Sequence, residues 1–97
     1  MNVKIHSIKF DAGVKLLEHV QKKMDKLDKF FDRIVDGEVF LKLNNQGIEN
    51  KTVEVKLNIP GEQFFASANA RSFEKAMEDC SEVLKRKLRE HKVKLVE

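Results

Sequence analysis

Five cations recur along one stretch of this chain: Lys15, Lys22, Lys26, Lys29 and Arg33. Their steps keep them within about 40° of one line on a helix that advances roughly 100° per residue. Leu17, Val20, Met24, Leu27 and Phe31 fall on the opposite side. One helix therefore buries an apolar stripe and presents a cationic ridge. A second basic run, Lys85 to Lys94, lies on another amphipathic stretch. Ammonium and guanidinium groups on a rigid element neutralise phosphates and displace condensed counterions; arginine adds bidentate phosphate bonds. The chemistry these residue types suit is the binding of a polyanion, with nucleic acid the leading candidate. Charged helix faces that simply meet water are equally common, so the pattern alone leaves both readings open.

The rest of the composition narrows the field. Ninety-seven residues make one domain, residues 1–97. Hydrophobic residues at 41% and charged residues at 36% describe a globular chain with a heavily charged surface. The net charge of +3 is modest, so arrangement matters more than total. Acidic residues gather in the middle, at Asp36, Glu38, Glu49, Glu54 and Glu62, which leaves the two runs locally basic. No apolar stretch approaches the roughly 20 residues of a membrane span. Met1 to His6 lacks the apolar segment of a signal peptide, so cytoplasmic residence is the expectation. Cys80 stands alone and excludes an internal disulfide.

Two helices and four strands must position the cations. Val3 to Phe10 reads as a strand whose apolar phase switches at His6-Ser7, which predicts a bulge there. Asp11 is the expected N-cap of a helix over 12–31, and Asp36-Gly37 the expected end of that unit. Val39 to Leu43 and Val53 to Ile59 alternate apolar with polar, separated by the turn cluster Asn44-Asn45-Gln46-Gly47. Pro60-Gly61-Glu62 is a tight turn into Gln63 to Ala68, with Phe64, Ala66 and Ala68 facing the core. Ser72 caps a second helix reaching His91 or beyond. Phe73, Ala76, Met77, Cys80, Leu84 and Leu88 line one of its faces; Lys75, Lys85, Arg86, Arg89 and Lys92 lie around the other, interrupted by Glu78 and Glu82. The fold class is α+β, a β-α-β-β-β-α sandwich with both helices on the apolar face of a four-stranded sheet.

Other residues carry less. His6, His19 and His91 fall on separate elements with no metal-ligand spacing, and no cofactor is expected. His19 borders the ridge and is a further candidate for a phosphate; His91 comes round to the apolar side and reads as packed. Most phenylalanines sit at core phase, but Phe30, Phe40 and Phe65 do not, and these three are candidates for touching RNA or a protein partner. The four glycines are scattered at turns, with no phosphate loop, and no serine or cysteine has an evident base partner. An enzyme is not expected.

Three segments then carry a family resemblance. Lys26-Leu27-Asp28-Lys29-Phe30-Phe31-Asp32-Arg33-Ile34 resembles the "KL…(Y/F)(Y/F)DRI" close of the first helix in the ribosome hibernation-promoting factors, also called sigma-factor modulation proteins. Leu84 to Lys92 resembles that family's "L.RQL.KHK" second helix, and Phe64 to Ala68 its last strand with an "ASA" element. The likeness runs the length of the chain, in order. It implies a sandwich related to double-stranded RNA-binding domains. It also implies binding of the small ribosomal subunit between head and body, in the channel of messenger and transfer RNA, which silences and protects idle ribosomes. The ribosomal RNA contacts carried over are Lys22, Lys26, Lys29, Arg33, Lys85, Arg86, Arg89 and Lys92, with Lys75 added from the helix face. Departures are Glu74-Lys75-Ala76-Met77-Glu78 where the family opens its second helix differently, Val83 for a usual lysine, and Glu90 at a usually basic position. The chain as given ends at Glu97, so the C-terminal dimerisation domain of long members is not expected and a ribosome-dimerising role implies a separate partner. A general double-stranded RNA binder and a regulator of an acidic protein are the alternatives.

Overall fold

The computed structural model describes residues 1–44 and 47–96, with side chains as far as Lys92. The order is β1 (Asn2–Ile8), α1 (Val14–Phe30), β2 (Asp36–Leu43), β3 (Lys51–Ile59), β4 (Glu62–Ala70) and α2 (Phe73–Val96). The strands lie side by side in chain order; β1 runs parallel to β2, and the other pairs are antiparallel. The parallel pair needs a crossover, and α1 supplies it.

The alternating strands turn Val39, Leu41, Val53, Val55 and Leu57 onto one face, where none retains any exposure. Val20, Met24 and Leu27 of α1 and Ala76, Met77, Cys80, Leu84 and Leu88 of α2 close over them. Burial of this apolar surface is the main stabilising term, at roughly 25 cal/mol per Å². Gly37 makes room for the Met24 side chain: a Cβ there would stand 2.5 Å from the Met24 methyl. At the β3–β4 turn, Pro60 precedes Gly61 at φ 78, the type II pattern.

Several boundaries differ from the sequence expectation. No bulge interrupts β1, whose register with β2 runs unbroken from Asn2↔Asp36 to Ile8↔Lys42. The phase switch has another cause. Lys9 takes the left-handed conformation (φ 71) and turns the chain off the sheet. Phe10 then stacks on Phe73, with ring centroids 4.7 Å apart and planes 8° from parallel. That detour moves the start of α1 to Val14, with Gly13 rather than Asp11 at the N-cap and no side-chain capping bond. At its other end α1 stops at Phe30, because Phe31 is extended and nearly fully buried. Asp36-Gly37 opens β2 instead of ending the preceding unit, and Asp36 accepts a hydrogen bond from the Asn58 side chain on β3. β4 continues to Ala70 and α2 to Val96. Ser72 does cap α2: its Oγ accepts from the Lys75 amide at 3.1 Å. Of the expected turn cluster, Asn45 and Gln46 lie outside the described residues.

Cys80 is fully buried, with Sγ 3.3 Å from the Val53 carbonyl. Burial pushes its thiol up to about 12, with the charges of Asp79 and Glu54 adding to the shift. The folded state thus holds this proton more tightly than the unfolded chain. The stability contributed by the neutral thiol is complete below about pH 8.5, where the unfolded thiol titrates. It is lost as pH climbs towards about 12. We therefore expect the stability difference between the native chain and Cys80→Ala to shift against the native chain above about pH 9, by up to roughly 1.4 kcal/mol per pH unit. Paired denaturant titrations across that range check it; a pH-independent difference would contradict the buried neutral thiol.

Candidate nucleic-acid interface

α1 and α2 lie side by side, and their contacts give their relative direction. Lys23 Nζ approaches Glu78 Oε1 at 3.9 Å, Lys26 and Lys85 line one shallow cleft, and Phe30 meets Lys85, Arg89 and Lys92. Successive positions on α1 meet successive positions on α2, so the helices run in the same direction. Their C-terminal ends, with the negative ends of both helix dipoles, lie together. The later part of the α1 run, from Lys26 to Arg33, and the α2 run therefore share one end of the helix pair.

Every one of the nine cations named from the sequence is exposed: Lys22, Lys26, Lys29, Arg33, Lys75, Lys85, Arg86, Arg89 and Lys92. They are not equivalent. Lys22, Lys26 and Lys29 lie on α1 as the spacing predicts, together with Lys15. Arg33 does not, because α1 ends before it; its exposure comes from the turn after Phe31. Lys85, Arg86, Arg89 and Lys92 occupy the later part of α2. Lys75 sits near the start of α2, seventeen residues and about 25 Å of helix from Lys92. Its Nζ lies 3.2 Å from Asp79, whose hydrogen bond and charge raise its pKa. Lys75 is thus remote from the shared basic end and already partnered. Its i,i+4 spacing to Asp79 was a readable signal for that. The Lys94 side chain lies outside the described residues.

Among the described residues, Lys22, Lys26, Lys29, Arg33, Lys85, Arg86, Arg89 and Lys92 form no ion pair. Three other lysines are paired: Lys42 meets Glu54 at 2.7 Å on the open sheet face, and Lys23 and Lys75 meet α2 carboxylates, while Lys4, Lys9, Lys15, Lys51, Lys56, Arg71 and Lys87 also form no ion pair among the described residues. The cleft itself is mixed, since Glu78 and Glu82 line it beside Lys26 and Lys85. Lys29, Arg33, Arg89 and Lys92 lie beyond the cleft, towards the C-terminal ends of the helices, with Asp32 and Glu90 interspersed.

The remaining candidates separate in the same way. His19 lies with Lys15, Glu18 and Lys22, but its Nε2 is buried and has no hydrogen-bond partner among the described residues. His91 packs between Phe31 and Phe64 and reaches Glu62 at 3.1 Å. On the open sheet face His6 stacks on Phe40 at 4.9 Å and meets Glu38 at 2.7 Å, and Lys56 stands 5.8 Å from the Phe40 ring. Phe65 is 45% exposed on that same face. Phe30 alone of the three out-of-phase phenylalanines joins the basic surface. Among the described residues no cluster of histidine, cysteine and carboxylate side chains is placed to hold a metal, and no helix is long and apolar enough to cross a membrane.

The fold and this helix pair define a class, and comparison with known proteins gives it a name. Residues 3–96 match the family described as Sigma 54 modulation protein / S30EA ribosomal protein, and the chain belongs to that family. Among curated relatives, a "Ribosome hibernation promotion factor" of Deinococcus radiodurans is 35% identical over 81 residues, which span 79% of this chain and 41% of that protein. A protein of the same name from Bacillus subtilis is 26% identical over 98% of this chain and 50% of its own length. A "Ribosome hibernation promoting factor" of Azotobacter vinelandii is 27% identical over all of this chain and 88% of its own. The chain thus spans half or less of the first two relatives. Two solved structures share the fold. One is a ribosomal subunit interface protein from Coxiella burnetii, with TM-score 0.83, 20% identity, and 96% of this chain and 99% of that one covered. The other is the Protein Y N-terminal domain of Thermus thermophilus, with TM-score 0.81, 18% identity, and 94% and 99% covered.

Proposed function

We propose that this chain is a ribosome-binding hibernation domain of the cytoplasm. Its helix pair docks in the messenger and transfer RNA channel of the small ribosomal subunit and thereby stops translation and preserves the idle ribosome. One observation carries the reading: eight exposed cations form no ion pair among the described residues, seven of them on two parallel helices and Arg33 in the turn that follows the first. The relatives' names supply the ribosome as partner. Such a surface meets RNA phosphates and releases counterions, so affinity falls steeply with salt. Sequence readout is not required, because the fixed shape of ribosomal RNA supplies specificity.

Co-sedimentation with ribosomes and separated subunits on sucrose gradients, at low and high salt, tests the proposal. Travel with the small subunit and the whole ribosome, lost at high salt and absent with the large subunit, is the expected result. Equal binding to any duplex RNA would favour a general RNA binder. Failure to travel at low salt would remove the ribosome from the reading.

A further inference from the structure

Phe30 closes α1 at the junction of the two basic runs. Three cations of α2 stand over its ring: Lys92 Nζ at 4.3 Å from the centroid, Lys85 Nζ at 5.3 Å and the Arg89 guanidinium carbon at 5.9 Å. Lys92 Nζ also donates to the Phe30 carbonyl oxygen. That carbonyl belongs to the last turn of α1, where the helix leaves its acceptors without intrahelical partners.

Three like charges gathered this closely repel one another, and long side chains relieve repulsion by swinging apart into water. Two features of Phe30 oppose that. The negative face of its ring attracts cations within about 6 Å. The exposed carbonyls of the α1 terminus, the negative end of the dipole, attract them as well. A carboxylate would also hold the cations, but it would neutralise them. Among the described residues none of the three has a carboxylate partner. An aromatic ring fixes their positions and leaves their charge available. Fixing them beforehand lowers the side-chain entropy lost when an anion arrives.

We infer that Phe30 is a positioning residue whose ring and carbonyl assemble Lys85, Arg89 and Lys92 into one site for the phosphodiester backbone of RNA. This rests on the RNA-binding function proposed above. Phe30 acts through the cations rather than as a stacking platform for a base.

The test compares Phe30→Leu, which keeps apolar volume without a ring, with Phe30→Tyr, which keeps the ring. Affinity for purified small subunits is measured across a salt series, and the ε-methylene proton shifts of Lys85 and Lys92 are read by NMR. In the native chain those protons are expected upfield, under the ring current. Phe30→Leu should lose the upfield shift and about fivefold in affinity with an unchanged far-UV spectrum. Phe30→Tyr should restore both. Native-like affinity in Phe30→Leu, or the absence of upfield shifts in the native chain, overturns the proposal. So does a loss of affinity in Phe30→Leu that Phe30→Tyr fails to rescue. The joint variant Lys85→Gln, Arg89→Gln, Lys92→Gln separates this from the wider reading. If the native chain binds subunits and the joint variant binds equally well, this site is not used while the ribosome-binding function stands. If the native chain binds no subunit, both fall.

Discussion

Reversing Lys22, Lys26, Arg86 and Arg89 to glutamate together should abolish small-subunit binding while leaving the melting temperature nearly unchanged. The four side chains are exposed and form no ion pair among the described residues, so the fold loses little with them. If the proposed RNA contacts are made, four attractions are replaced by four repulsions. At roughly 1–1.5 kcal/mol for each contact, affinity drops on the order of a thousandfold or more. A matched control reverses Lys4, Lys9, Lys56 and Arg71, which lie on or beside β1, β3 and β4 and form no ion pair among the described residues. The net charge changes by the same amount, yet binding should survive. Equal loss in both variants would show that total charge, rather than the helix ridges, drives association. Retained binding in the first variant would remove the ridges from the mechanism.

Leu84→Ala should cause a large loss of stability. Leu84 is fully buried midway along α2, between the helix pair and the sheet. Truncating a buried leucine costs about 2–5 kcal/mol, through lost transfer energy and the cavity left behind. A domain of this size is stable by only about 5–15 kcal/mol. At about 4–8 °C per kcal/mol, the melting temperature falls by some tens of degrees at the upper end. Thermal unfolding followed by circular dichroism measures it. A shift of only a few degrees would mean that α2 relaxes into the cavity. Because α2 also carries Lys85, Arg86 and Arg89, RNA binding by this variant should fall only where the helix itself has begun to melt.

The parts of this molecule that were legible in the sequence are those whose environment is set by local periodicity. Val53, Val55, Leu57 and Ile59 alternate because β3 is central and has one wet face, and the structure buries all four. Phe73 to Leu88 repeats at helical spacing because one side of α2 faces the sheet. β1 was harder. It is an edge strand, so Ile8 on the open face meets little penalty and the apolar phase is weakly specified there. The left-handed turn at Lys9 gives no compositional signal, and it displaced the helix start from Asp11. In the candidate site, exposure of the cations was readable from the same periodicity. Their grouping was not. That Phe30 meets Lys85, Arg89 and Lys92 depends on the parallel alignment of two helices separated by three strands, which no local pattern encodes. The Lys75–Asp79 pair, by contrast, was local and open to reading.

The parallel pairing of β1 with β2 also bears on how the chain reaches this state. β2, β3 and β4 follow one another through short turns, so their pairing closes small loops. β1 joins only after the whole of α1 has been laid across the sheet, bringing Asn2 to Asp36. Loop-closure entropy grows with the intervening length, and non-local pairing is slow to be rewarded. On this ground the three-stranded meander is the expected nucleus, and β1 with the start of α1 the expected last arrival; hydrogen exchange that protects β1 as strongly as β3 would contradict that order. Run backwards, the same order makes β1 the part of the sheet that opens first. Transient opening would expose one edge of the meander and break the 2.9 Å pair between the Met1 ammonium and Asp28 of α1, while Leu27, Phe31 and Leu88 still hold the helix ends in the core.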